Sequence, residues 1–135
     1  MFERELSVVV ARGIDDTIVD HGVMENEHVN HILDLTVVPA GVSDLTMAAA
    51  RQVAHDTATA LDLVGVLCVE LFDTAEGILV NEIAPRPHNS GHCTIEAAAA
   101  SQFEQQLRAA TGMPLGDGSC RPAAMVQLLG DLWDD

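Results

Sequence analysis

The chain has 135 residues and a formal charge of −15, and its six basic residues are all Arg, with no Lys. A field of that sign repels nucleic acid and anionic membrane, and no apolar run reaches the ~18 residues of a membrane span or shows a signal-peptide layout. The length points to one domain, and 48% hydrophobic content with 3% aromatics and no Tyr implies an aliphatic core.

Glu5-Leu6-Ser7-Val8-Val9-Val10-Ala11-Arg12 is β-branched and reads as a strand. Gly13 to Asp16 is a turn, and Thr17 to Val23 returns as a second strand. Asn26 to Asn30 is polar and reads as a loop holding His28. Ile32 to Val38 is a third strand, stopped by Pro39-Ala40-Gly41. Ser43 to Leu63 is Ala-rich without Gly or Pro. Ser43 or Asp44 can cap it, and Leu45, Ala49, Val53 and Ala60 share one helical face. Gly65 opens the next strand, and Val66–Phe72 with Gly77–Ile83 forms a hairpin around Asp73-Thr74-Ala75-Glu76. Thr94 to Thr111 reads as one helix stopped by Gly112-Met113-Pro114. Ala123 to Leu129 is a strand or a short helix. The order implies an α+β fold, mostly antiparallel sheet with helices packed on one face.

Cys68, Cys93 and Cys120 are odd in number and widely spaced, with no zinc pattern. They read as free thiols in a reducing cytosol, so a cytoplasmic location is expected, with Cys68 in the core.

The chemistry concentrates in Val80-Asn81-Glu82-Ile83-Ala84-Pro85-Arg86-Pro87-His88-Asn89-Ser90-Gly91-His92. A strand ends in a carboxylate, and a Pro-stiffened loop then carries one Arg, two His, an Asn and a Ser. Glu70 stands in the preceding apolar strand. An antiparallel register with an even residue sum puts Glu70 and Glu82 on one face, with Val66, Cys68, Phe72, Ile78 and Val80. Two carboxylates on an apolar face repel and lose hydration unless a cation joins them. Magnesium suits such a pair, because it takes oxygen ligands and shares them with water and phosphate. Arg86, held between Pro85 and Pro87, can grip phosphate or carboxylate bidentately. His88 and His92 stand four apart, but Pro87 and Gly91 oppose a helix across them, which argues against zinc. Asn89-Ser90-Gly91 is adequately explained as a turn. His28 and His31 read as surface histidines, and His21 and His55 carry no argument. Lys and a Gly-rich phosphate loop are absent, so these residues amount to half of a nucleotide site.

The motif from Asn81 to His92 resembles the ATP-grasp superfamily and, within it, the 5-(carboxyamino)imidazole ribonucleotide synthase family of purine biosynthesis. Glu5-Leu6-Ser7-Val8 to Arg12-Gly13, Gly65-Val66 to Glu70-Leu71-Phe72, Ser101-Gln102-Phe103-Glu104 and Pro114-Leu115 match that family in order. The resemblance implies the larger ATP-grasp subdomain, with ATP and Mg2+ as cofactors and bicarbonate and 5-aminoimidazole ribonucleotide as substrates. Bicarbonate would be phosphorylated to carboxyphosphate, which carboxylates the ribonucleotide amine. By resemblance, Glu70 and Glu82 hold magnesium, and Asn81 and Glu82 border ATP. Glu5 takes the ribose hydroxyls, and His28 lies in the nucleotide pocket. Arg86 holds carboxyphosphate, and His88 and Asn89 line the substrate pocket. Ala84 stands where many ATP-grasp enzymes place a third metal ligand, and Cys93 stands where an aromatic is common, which implies a looser pocket wall. The resemblance also implies that residues 1–135 are a partial domain, the C-terminal half of an ATP-grasp unit. The N-terminal substrate domain and the lysine-bearing lid of the family are absent from this stretch, and the complete enzyme would be a homodimer. Two other readings stand beside it: a sister ATP-grasp ligase of the glycinamide ribonucleotide transformylase type, and a non-catalytic acidic module.

Overall fold

Leu6 to Ala11 is a nearly unbroken apolar run because the strand that carries it is covered on both faces. In the computed structural model, which describes residues 1–130, this strand is β1 (Phe2–Arg12). It lies inside a six-stranded antiparallel sheet of order β5-β4-β1-β2-β3-β6. The other strands are β2 (Ile18–Val29), β3 (Ile32–Val38), β4 (Gly65–Thr74), β5 (Gly77–Ala84) and β6 (Ala123–Val126). Residues 131–135 of the expected domain lie outside the described residues.

Two apolar clusters sandwich the sheet. On one face Leu6, Val8, Val10, Val23, Leu67, Val69 and Leu71 pack under α1 (Asp44–Ala60). Ser43 caps that helix by accepting from Thr46 N. Its buried stripe is Ala50, Ala54 and Ala58, whereas Leu45 is 81% exposed and Ala49 and Ala60 face water. Val53 of the expected face does pack against the core, so the buried face is rotated from the expected one by part of a turn. Small side chains let the helix axis approach the strands, and a stripe of Ala gives little contrast against the other Ala around it.

On the other face Val9, Ala11, Met24, Val66, Cys68 and Ala84 pack with Cys93. Cys93 belongs to a short 3-10 helix (Asn89–Cys93) that continues into α2 (Thr94–Ala97). Helical segments thus cover both faces of the sheet rather than one. The expected single helix from Thr94 to Thr111 is broken. The Ala98 backbone bridges to Cys120, and α3 (Gln102–Ala110) starts afresh where Ser101 accepts from Glu104 N. The Ser-x-x-Glu spacing is a helix-start signal, and it marks that restart.

The polar stretch at Asn26 is also corrected. It continues β2, because its backbone is paired on both sides, Asn26 to Glu5 and to Thr36. The turn is only Asn30-His31, both with positive φ (51° and 66°), as a two-residue hairpin connection requires. The segment from Ala123 is a strand, paired with β3.

Candidate functional site

The β4–β5 hairpin builds the centre of the site. Near its turn the pairs are Asp73–Ile78, Phe72–Leu79 and Leu71–Val80; beyond it they are Glu70–Glu82, Val69–Ile83 and Cys68–Ala84. The extra residue is Asn81, a β-bulge. In a regular hairpin Glu70 would face Asn81, and Glu82 would turn to the opposite side. The bulge sets the two carboxylates directly across from each other. It also corrects part of the expected face: Val66, Cys68 and Phe72 share it with Glu70, but Ile78 and Val80 go to the other side, where Ile78 packs toward α1.

Glu70 is largely buried (side chain 16% exposed) and Glu82 is exposed. Burial raises the Glu70 carboxyl above its ordinary range, and the charges of Glu82 and Glu5 push the same way against His28 and Arg86. A bound cation would relieve that repulsion, and two carboxylate oxygens fit a hard ion such as magnesium. Among the described residues no cluster of three or more His, Cys, Asp or Glu is arranged as a metal cage. Ala84 is buried opposite Cys68 and adds no third oxygen. The remaining ligands would have to be water and phosphate.

His88 approaches the pair from the loop, its Nε2 3.7 Å from Glu70 Oε1. Its Nδ1 lies 3.0 Å from Ser90 Oγ, and Ser90 Oγ lies 3.7 Å from Cys68 Sγ. Burial pushes the Cys68 thiol up to about 12, so it keeps its proton and can donate to Ser90. With the Ser90 hydroxyl donating to His88 Nδ1, the His88 proton sits on Nε2, facing Glu70. Burial, reinforced by Arg86, lowers the His88 pKa and favours this neutral ring. Gln102, fully buried, clamps the His88 backbone twice: His88 N donates to its Oε1 (2.9 Å), and its Nε2 donates to His88 O (2.7 Å).

Arg86 is exposed and bonds the neighbouring Pro87 carbonyl (3.1 Å); among the described residues it pairs with no carboxylate. Asn89 donates to Gln127 Oε1 (2.7 Å), tying the loop to the segment after β6. Glu5 and His28 contact each other through Oε2 and Nδ1. With Asn26, His31, Glu70 and Asn81 they line a cavity of about 170 Å3. The structure therefore brings Glu5, His28, Asn81, Glu70, Glu82, Arg86 and His88 to one end of the sheet. His31 stands at the lip, and His92 turns away to pack against Phe103 (5.8 Å between ring centres).

Cys93 is buried in the second core, its thiol pushed up to about 11 by burial. Ser90 and Gln102 were not legible as site residues. Their only signal was a place within matching motifs, and their role appears when the loop folds back on β4. A larger concavity of about 510 Å3 lies at the far end of β2, beside Arg51 and His55. There the buried Asp20 is already satisfied by Arg51 (2.9 Å), His55 (2.7 Å) and Gly22 N (2.9 Å).

One end of the sheet thus gathers two opposed carboxylates, a His and an Arg that pairs with no carboxylate among the described residues. Residues 1–103 match the ATP-grasp domain, and the chain belongs to that family. It is 48% identical over 132 residues to N5-carboxyaminoimidazole ribonucleotide synthase of Bacillus subtilis, covering 96% of this chain and 35% of that protein. A crystal structure of an ADP complex of an N5-carboxyaminoimidazole ribonucleotide synthetase superposes with a TM-score of 0.93 at 46% identity, over 96% of this chain and 35% of that one. The Aspergillus clavatus N5-carboxyaminoimidazole synthase, solved with ADP and 5-aminoimidazole ribonucleotide, gives a TM-score of 0.87 at 36% identity, over 93% and 34%. The chain thus spans about a third of the length of these relatives. Among the described residues no helix is long and apolar enough to cross a membrane.

Proposed function

We propose that this chain is the metal- and phosphate-binding part of a longer ATP-dependent ligase that carboxylates 5-aminoimidazole ribonucleotide with bicarbonate. The observation that carries the reading is the bulge at Asn81, which opposes Glu70 to Glu82 beside Arg86 and His88. The likeness to relatives named for this synthesis, one of them solved with ADP and 5-aminoimidazole ribonucleotide, supports the substrate.

In this reading Glu70 and Glu82 hold Mg2+, which when bound offsets charge on the phosphates. Glu5 receives the ribose hydroxyls, His28 lies in the nucleotide pocket, and Asn81 with Glu82 borders ATP. A bicarbonate oxygen attacks the γ-phosphorus and ADP leaves, giving carboxyphosphate held by the Arg86 guanidinium. The ribonucleotide amine then takes the carboxyl carbon, phosphate departs and the amine loses a proton. His88 and Asn89 orient these partners. His88 suits that role while neutral, because a second cation beside Arg86 would bind the anion without distinguishing its geometry. Phosphate-gripping lysines would come from the rest of the enzyme, which we expect to be a cytoplasmic homodimer.

The test is ADP release by the complete enzyme given Mg2+, ATP and bicarbonate, with and without 5-aminoimidazole ribonucleotide. Release that rises strongly with the ribonucleotide supports the proposal. Indifference to it would redirect the reading to a sister ligase, and no release at all to a non-catalytic acidic module.

A further inference from the structure

One row of polar side chains crosses five strands on a single face. Thr36 on β3 pairs with Asn26 on β2, Ser7 on β1 pairs with Glu70 on β4, and Glu70 pairs with Glu82 on β5. Asn26 joins the row diagonally, through its side chain to Ser7. Behind the row on that face lies apolar core: Val9, Met24, Cys68 and Ala84. Ser7 and Thr36 are fully buried and Asn26 nearly so. Burying three polar groups in a sheet is costly unless they are paired, and an apolar trio would fill the same space at no such cost.

The hydrogen bonds in the row run in one direction. In the structure Thr36 Oγ1 donates to Asn26 Oδ1 (3.0 Å), which can only accept. Asn26 Nδ2 then donates to Ser7 Oγ (2.9 Å). Ser7 is therefore an acceptor on that side, and its own proton is uncommitted: among the described residues Asn26 is its one partner. Onward in the row stands its cross-strand neighbour, Glu70.

We propose that Ser7 is a positioning residue for the metal site. Its hydroxyl donates to the Glu70 carboxylate when a cation engages Glu70, and the bond it accepts from Asn26 leaves its proton free for that direction. The inference rests on the metal reading of Glu70 and Glu82. Carboxylate ligands are commonly held by such an outer hydrogen bond, and losing it weakens metal binding by about 10–100-fold.

The experiment titrates Mn2+ into the complete protein and follows the free ion by electron paramagnetic resonance, with a thermal melt as a check on folding. Ser7→Ala should weaken Mn2+ binding by about 10-fold or more, Ser7→Thr should keep the wild-type value, and Thr36→Val should weaken it by less than Ser7→Ala. ADP affinity without metal should not change, which a general loosening of the sheet would not spare. Wild-type Mn2+ affinity in Ser7→Ala overturns the proposal. Should Ser7→Ala fail to fold, unchanged affinity in Thr36→Val overturns it instead. Glu70→Gln separates the two levels: if that variant still binds Mn2+, the metal reading itself fails, whereas loss there with no loss in Ser7→Ala refutes the positioning role alone.

Discussion

The two ends of β1 handle charge in opposite ways. At Arg12 the guanidinium is nearly buried, donates to the Leu63 carbonyl (2.7 Å) and meets Asp16 and Asp62. Every charge there has a partner within the chain. At the other end Glu5, Glu70 and Glu82 converge, Glu70 carries a raised pKa, and Arg86 pairs with no carboxylate among the described residues. Charge satisfied internally holds the fold together. Charge left to be satisfied by something else marks where a ligand belongs.

Substitutions at the two ends should therefore fail in different assays. The largest effect expected is on turnover: Glu82→Ala or Arg86→Met in the complete enzyme should lower kcat by about 10²-fold or more, as loss of a charge stabiliser does. Both side chains are exposed, so their melting temperatures should stay near wild type. Near wild-type turnover in Glu82→Ala would refute the magnesium role. Arg12→Met should do the reverse and cost about 2 kcal/mol of stability in a denaturant melt, from the lost bond to Leu63 and the lost ion pairs. The cost stays moderate because Asp16 and Asp62 are exposed (side chains 78% and 91%) and rehydrate. ADP release per folded molecule should be unchanged.

A smaller change sharpens the comparison inside the active end. A Cβ on Gly91 would sit 2.5 Å from Gln102 Oε1, the group that accepts from His88 N. The Gln102 side chain can give way, so Gly91→Ala should fold. Its release of His88 should lower kcat/KM by about 10-fold, a cost near 1.4 kcal/mol in the transition state. Unaltered kcat/KM would mean that Gln102 does not set the His88 position.

Much of this site could be read before folding. β1, β3 and the Ser43 cap follow from β-branching and capping chemistry, and Glu70 and Glu82 were paired by parity. The bulge that makes the parity true was not readable. A two-residue turn pairing Thr74 with Gly77 imposes an odd sum, and only the extra Asn81 restores an even one. Asn26 and His28 read as a loop in the sequence because strand residues that face a cleft are as polar as loop residues. The Ala stripe of α1 was misplaced because Ala50, Ala54 and Ala58 differ from their neighbours in position, not in chemistry. Ser90 and Gln102 act only through a chain reversal that no local pattern encodes.

The subtlest test of the comparison is Glu70→Gln. Folding raises the Glu70 pKa above its ordinary 4.5, so the folded chain holds that proton more tightly than the unfolded chain. Below the unfolded value both states are protonated, and Glu and Gln should be nearly equivalent. As pH climbs through the folded value the wild type must ionise a largely buried group beside Glu82, and it loses stability that the variant keeps. Glu70→Gln should therefore melt higher than wild type at neutral pH, with the gap closing on acidification. Saturating Mg2+ with ADP should reverse the order, because only wild type gains from the bound metal. A Glu70 engaged in an internal ion pair, as Asp20 is with Arg51, would give the opposite sign without ligand: the Gln variant would melt lower at neutral pH. The sign of that gap in the ligand-free protein thus tells whether Glu70 belongs with the charges that hold the sheet or with those that wait for a cation.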